Sequence, residues 1–207
     1  MSYFNIGSLT IPAVWLAVLL SLFMTSLLYR FASGRKLEDW YWNSFFLYFL
    51  VWKLSYALFH FKMAIEMPLS IVYFNGSTKG HFLALVSLSV YLIYIAGKKH
   101  QTVFRDAFKV YPLFFIGFEV TKYALETNFP AAMASLALLI GYAVFLKKKN
   151  ECFSIKAFTF LFLFELLIIS FFQPILSLEI LTFGWLAFIV YTLSNGDRKN
   201  LSFKLTS

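Results

Sequence analysis

Long apolar runs, broken at short intervals by clusters of charge, set the pattern of this chain. The first runs from about Ile11 to Phe31 and the second from Trp40 to Met63, opening on the aromatic belt Trp40, Tyr41 and Trp42. The third covers His81 to Ala96, the fourth Val110 to Leu125, the fifth Pro130 to Leu146, the sixth Ile155 to Phe172 and the seventh Leu178 to Leu193. A hydrocarbon core of roughly 30 Å takes about 20 helical residues to cross, and a helix satisfies its own backbone where no water can. The pattern therefore predicts an all-α, polytopic membrane protein of seven transmembrane helices. One membrane domain over residues 1–195 and a polar cytoplasmic tail over 196–207 complete the expected organisation.

Charge gives the expected orientation. Taken by alternate loops, one set holds fourteen of the eighteen Lys and Arg residues, from Arg30, Arg35 and Lys36 to Arg198, Lys199 and Lys204. The other set holds Lys62, Lys79 and Lys122, and Lys53 stands inside a span. Basic loops stay on the cytoplasmic side, which predicts the N-terminus outside and the C-terminus inside. In the first run the positive charge follows the apolar segment, so it reads as a retained helix rather than a cleaved leader. With 60% hydrophobic and 14% charged residues the chain is far poorer in charge than a soluble domain, which averages about 25%. The net charge of +8 then reads as topogenic, and no nucleic-acid partner is expected.

Soluble-enzyme signatures are absent: there is no phosphate-binding glycine loop, no dinucleotide fingerprint, no HExxH and no GxSxG. The single cysteine, Cys152, allows no disulfide framework. His60, His81 and His100 lack metal-ligand spacing, so neither a metal nor a cofactor is expected. Attention passes to ionisable residues at membrane depth, where an ammonium costs about 2.5–3.5 kcal/mol near a helix centre unless it is partnered. Lys53 and His60 are seven residues apart, two turns of one helical face. The connector carrying Glu66, Pro68, Asn75, Gly76, Lys79 and Gly80 leads to His81, whose ordinary pKa near 6.5 suits a general base. Glu119 and Lys122, three apart, share a face and can satisfy each other.

Several stretches taken together resemble the bacterial prolipoprotein diacylglyceryl transferases. FNIGSLTIP is similar to that family's entry into its first helix, and KLSYALF (Lys53 to Phe59) to a segment of its second. MPLSIVYFNGSTKGH (Met67 to His81) resembles its NPL, glycine turn and histidine. FRDAFKVYPLFFIG and NFPAAMASLALLIGYAVFL follow in the family's order. The resemblance implies seven spans in a bacterial plasma membrane and transfer of a diacylglyceryl group from a phosphatidylglycerol-like lipid to a lipoprotein thiol at the outer leaflet. It implies His81 as the catalytic histidine, with Lys53, His60, Lys122 and Asn128 around the lipid headgroup. Lys122 stands where the family has an arginine, and Leu166 and Ser170 stand where it has an arginine and a glutamate. A lysine does not match a bidentate guanidinium, and a leucine binds no phosphate. Membrane phospholipid is the expected partner, with a lipoprotein precursor or another membrane protein beside it. A non-catalytic accessory protein on the same scaffold is the alternative reading, and a small-solute transporter the third.

Overall fold

In the computed structural model the described residues are 3–6, 9–98, 101–148 and 154–205. Cys152 and His100 lie outside them. Each of the seven apolar runs becomes a helix of eighteen residues or more: α1 Ala13–Ser33, α2 Asp39–Phe59, α5 Ser77–Lys98, α6 Gln101–Leu125, α7 Phe129–Lys148, α8 Ile155–Phe172 and α9 Leu178–Leu205. Two short helices, α3 Phe61–Glu66 and α4 Ser70–Tyr73, fill the connector before α5. A short antiparallel hairpin, β1 Tyr3–Ile6 paired with β2 Leu9–Pro12, precedes the helices. Ile11 and Pro12 thus belong to a strand, in keeping with the β-favouring Tyr, Phe, Ile and Thr around them.

Among the described residues four helices are long and apolar enough to cross a membrane: Ala13–Ser33, Ser77–Gly97, Phe129–Lys148 and Ile155–Phe172. Their outward faces carry large apolar side chains, among them Phe23 and Leu27 on α1, Val90 on α5, Met133 on α7 and Phe160 on α8. Water does not tolerate apolar surface on that scale, so the chain is membrane-embedded. The apolar part of α9, Leu178–Leu193, is shorter, and the helix continues to Leu205 through the stretch read as a tail. α6 starts well before Val110, and Tyr29 of α1 donates to its Asp106 Oδ1 at 2.7 Å.

The chain divides into two compact units, residues 1–37 with 105–207 and residues 38–104. In the first, α6 is buried on every side from Ala107 to Phe118 save at Phe114, as a helix enclosed by protein must be. α1 offers a stripe of small buried residues at four-residue spacing, Ala13, Ala17, Ser21 and Thr25. Small residues let helix backbones approach closely, and Thr121 Oγ1 of α6 reaches the Ala17 carbonyl at 3.3 Å. Phe108 stacks on Phe158 of α8 at 4.5 Å, and Phe115 packs on Phe183 of α9 at 4.6 Å. Buried hydroxyls are answered by helix carbonyls. Tyr111 donates to Phe183 O at 2.7 Å, and Tyr142 of α7 to Lys109 O at 2.9 Å, beside the turn that Pro112 deprives of a backbone donor.

In the second unit, α2 packs along α5. α2 ends at Phe59, and His60 takes φ −129° and ψ 46° before α3 begins. Lys53 and His60 therefore do not share one continuous helical face. α3 in turn stops before Met67, which Pro68 pushes out of helical geometry. The connector then folds back on α2 through glycine. Gly76 N donates to Trp52 O at 3.1 Å, and a Cβ on Gly76 would meet Ser55 Oγ at 1.7 Å and Gly80 Cα at 2.8 Å. Gly97, in the same unit, has open space around it. Gly76→Ala is expected to lower stability by about 1–3 kcal/mol through overpacking, and Gly97→Ala to leave it unchanged or slightly higher. Thermal unfolding of the two purified variants checks this; equal midpoints would contradict the close approach.

Candidate functional site

Polar groups collect at two places, one in each unit. In unit 38–104 the expected base, His81, sits in the first turns of α5, half-buried, with Nδ1 2.5 Å from the hydroxyl of Tyr48 on α2. The two rings meet edge to face at 5.9 Å. Where the imidazole proton lies on Nδ1, the ring donates to the tyrosine oxygen. Tyr48 was not singled out from the sequence. It lies thirty-three residues from His81, and no spacing rule connects them. His60 is exposed at the α2–α3 break, against the ring of Tyr56 at 5.0 Å, and Lys53 is half-buried on α2.

The second collection lies in the other unit, where the ends of α6 and α8 meet the starts of α7 and α9. Its members are Glu119, Lys122 and Tyr123 of α6, Ser135 of α7, Glu165 of α8, Gln173 just after α8 and Glu179 of α9. Glu119, Glu165 and Ser135 are fully buried, and Tyr123 and Lys122 are nearly so, at 2% and 4% exposed. Lys122 does not neutralise Glu119, its neighbour one turn back. Its ammonium forms an ion pair with Glu179 and donates to Gln173 Oε1 at 3.0 Å. Gln173 passes the link on, its Nε2 donating to Glu119 Oε2 at 3.4 Å. Ser135 donates to Glu165 Oε1 at 2.9 Å. In this collection Glu165 Oε2 has no hydrogen-bond partner among the described residues, and the Tyr123 hydroxyl lies against Glu119.

This arrangement changes the roles expected of two residues. Lys122 is held by Glu179 and Gln173, so it is not a free cation for a lipid phosphate. Asn128 sits at the α6–α7 turn, where its N–H donates to Tyr123 O at 2.9 Å and its Oδ1 accepts from Ala131 N at 3.4 Å at the start of α7. Gln173 and Glu179 carry much of the network, yet in the sequence they look like an ordinary polar turn and a first-turn glutamate. An apolar groove of about 550 Å³ between α7 and α8, lined by residues such as Ala137, Gly141 and Phe160, carries no charged side chain.

No family model, no curated protein and no solved structure matches this chain.

The two partners of the ion pair are unequally placed, with side chains 5% exposed for Lys122 and 26% for Glu179. Glu179→Ala strands a buried ammonium and is expected to cost about 3 kcal/mol. Lys122→Ala leaves a carboxylate that can turn toward solvent, and is expected to cost less. Unfolding midpoints in one detergent check the order; a milder effect for Glu179→Ala would contradict it.

Proposed function

We propose that this chain is a seven-span membrane protein that handles phospholipid at the outer leaflet, as a divergent relative of the prolipoprotein diacylglyceryl transferases. α2, α6 and α9 join the four apolar helices as spans. Enclosure of α6 by its neighbours supports its place among them, because a helix that meets protein rather than lipid can carry Glu119 and Lys122. The distribution of basic residues supports the N-terminus outside, the C-terminus inside and the Asn75–Gly80 connector on the outer face.

The observation that carries the lipid reading is the His81–Tyr48 pair. An imidazole with one nitrogen held by a tyrosine at the start of an apolar helix can take a proton from an acceptor group at the headgroup level. The acceptor, a thiol or hydroxyl on a membrane-anchored chain, gives its proton to the imidazole and bonds to the glycerol carbon of the phospholipid as that carbon's C–O bond to phosphate breaks, and the phosphate-bearing headgroup leaves. A second reading, a non-catalytic partner protein on the same frame, is favoured by one observation: the cation offered to a lipid phosphate by the family resemblance, Lys122, is committed to Glu179.

Expression in a bacterium depleted of its own diacylglyceryl transferase separates the two. Rescue is expected from the unaltered chain. His81→Ala is expected to cut product formation by about 10²–10⁴-fold and Tyr48→Phe by less. No rescue by a correctly inserted protein would leave the partner reading in its place. Orientation has its own check in a Cys152→Ser background: Lys79→Cys in intact cells should react with a membrane-impermeant thiol reagent, and labelling only after lysis would overturn the topology.

A further inference from the structure

The groove between α7 and α8 shares no residue with the His81–Tyr48 pair. Its walls include Ala134, Ala137 and Gly141 on α7 and Ala157, Phe160 and Phe164 on α8, and its volume is about 550 Å³. Short side chains on α7 make the room; a Cβ on Gly141 would meet nothing within 4 Å. Both helices are long and apolar enough to cross a membrane, so the groove lies at membrane depth. From Ala134 to Phe145 it follows α7 for about 16 Å, close to the depth of one leaflet in a hydrocarbon core of roughly 30 Å. At one end, level with Ala134 and Phe164, Ser135 donates to Glu165 Oε1 at 2.9 Å and joins the two helices. At the other end Lys156 directly precedes Ala157, and Lys147 and Lys148 follow Phe145 within a turn. All three lysines are exposed, and among the described residues none forms an ion pair with a carboxylate. Residues 147–156 hold four lysines against one glutamate, so that end of the groove is strongly basic.

We propose that this groove holds an acyl chain of an anionic phospholipid whose phosphate is met by Lys148 and Lys156. A groove at membrane depth is filled by a lipid chain or by another helix, and apolar contact alone does not choose, because lipid tails are as apolar as leucine. The lysines choose. Basic pockets between transmembrane helices on the cytoplasmic side bind anionic headgroups, and here the basic cluster stands at the end of a chain-sized slot. A second copy in the same membrane shares the orientation of the first, so it would bring its own basic end against these lysines, like charge to like. Lys147 lies over the Phe31 ring of α1 at 4.6 Å, which leaves the phosphate contact to the other two. Under the topology proposed above, the lipid belongs to the cytoplasmic leaflet, opposite the one that supplies the proposed chemistry. That leaflet assignment rests on the topology; the site itself does not.

A ligand that binds only the folded state raises its unfolding temperature, and that rise is the readout. The full chain, purified in detergent, is unfolded by heat with dioleoyl phosphatidylserine or dioleoyl phosphatidylcholine at equal mole fraction in the micelles. The anionic serine lipid is expected to raise the midpoint by several degrees over the zwitterionic choline lipid, which has the same chains. The difference should disappear in Lys148→Gln/Lys156→Gln and in Gly141→Phe, whose ring fills the groove. Ala137→Leu repeats the blockade should Gly141→Phe not fold. The difference should survive Lys98→Gln/Lys99→Gln, which removes two charges from another basic loop. An equal rise with both lipids, a difference that persists in a blocked groove, or one lost equally in Lys98→Gln/Lys99→Gln would overturn the site. So would a concentration-dependent dimer that Gly141→Phe abolishes, since a second copy would then cover the groove. None of these variants alters His81 or Tyr48, so failure here and failure of the rescue experiment are separate results.

Discussion

A positive charge enclosed by apolar helices has to be answered within the protein, and the packing around α6 follows from how that is done. Lys122 reaches Glu179 rather than the nearer-in-sequence Glu119, which ties the end of α6 to the start of α9. Gln173 uses both ends of its amide, accepting from the ammonium and donating to Glu119, and so joins the α8–α9 turn to the same point. The Gln173 amide meets the fully buried Glu119 inside the protein and offsets part of the cost of burying it. The result is a polar seam that holds four helix ends together in a region where hydrophobic attraction between helices contributes little.

The rest of that unit encloses α6 in protein. Small residues on α1 let it lie close, and the phenylalanine stacks from α8 and α9 fill the opposite sides. Hydroxyls that face inward take backbone carbonyls as acceptors, including one next to Pro112. Such bonds matter more here than in a soluble core because the alternative is a bare donor in hydrocarbon. The unit of α2 to α5 solves its packing differently, with two glycines set against Ser55 so that the connector lies on α2. That close approach leads the chain into α5 at His81, within reach of Tyr48.

The resemblance to the diacylglyceryl transferases and the structure meet unevenly. His81 has a tyrosine partner, while Lys122 and Asn128 are taken up by an ion pair and a helix start. Nothing in the described residues replaces the arginines of that family's signature with another bidentate donor at those positions, since Leu166 and Ser170 have none to give. The proposed lipid-handling role therefore rests on His81 and its partner rather than on a phosphate clamp.

From sequence alone the helical class, the places of the long helices and the membrane setting were legible. Each follows from local composition: an apolar run of about twenty residues has no other way to satisfy its backbone in hydrocarbon. Ends were less legible, because the first turns of α6 and the last of α9 are polar helix whose hydropathy resembles a loop. The break at His60 and the strand at Ile11 also escaped a reading by hydropathy, which registers burial and not dihedral angles. Partnership was decided only in three dimensions. Glu119 and Lys122 share a face and were natural partners by spacing, yet Glu179, fifty-seven residues on, takes the ammonium because the start of α9 packs against the end of α6. Tyr48 and His81, or Ser135 and Glu165, are likewise joined by helix packing across gaps that no periodicity spans.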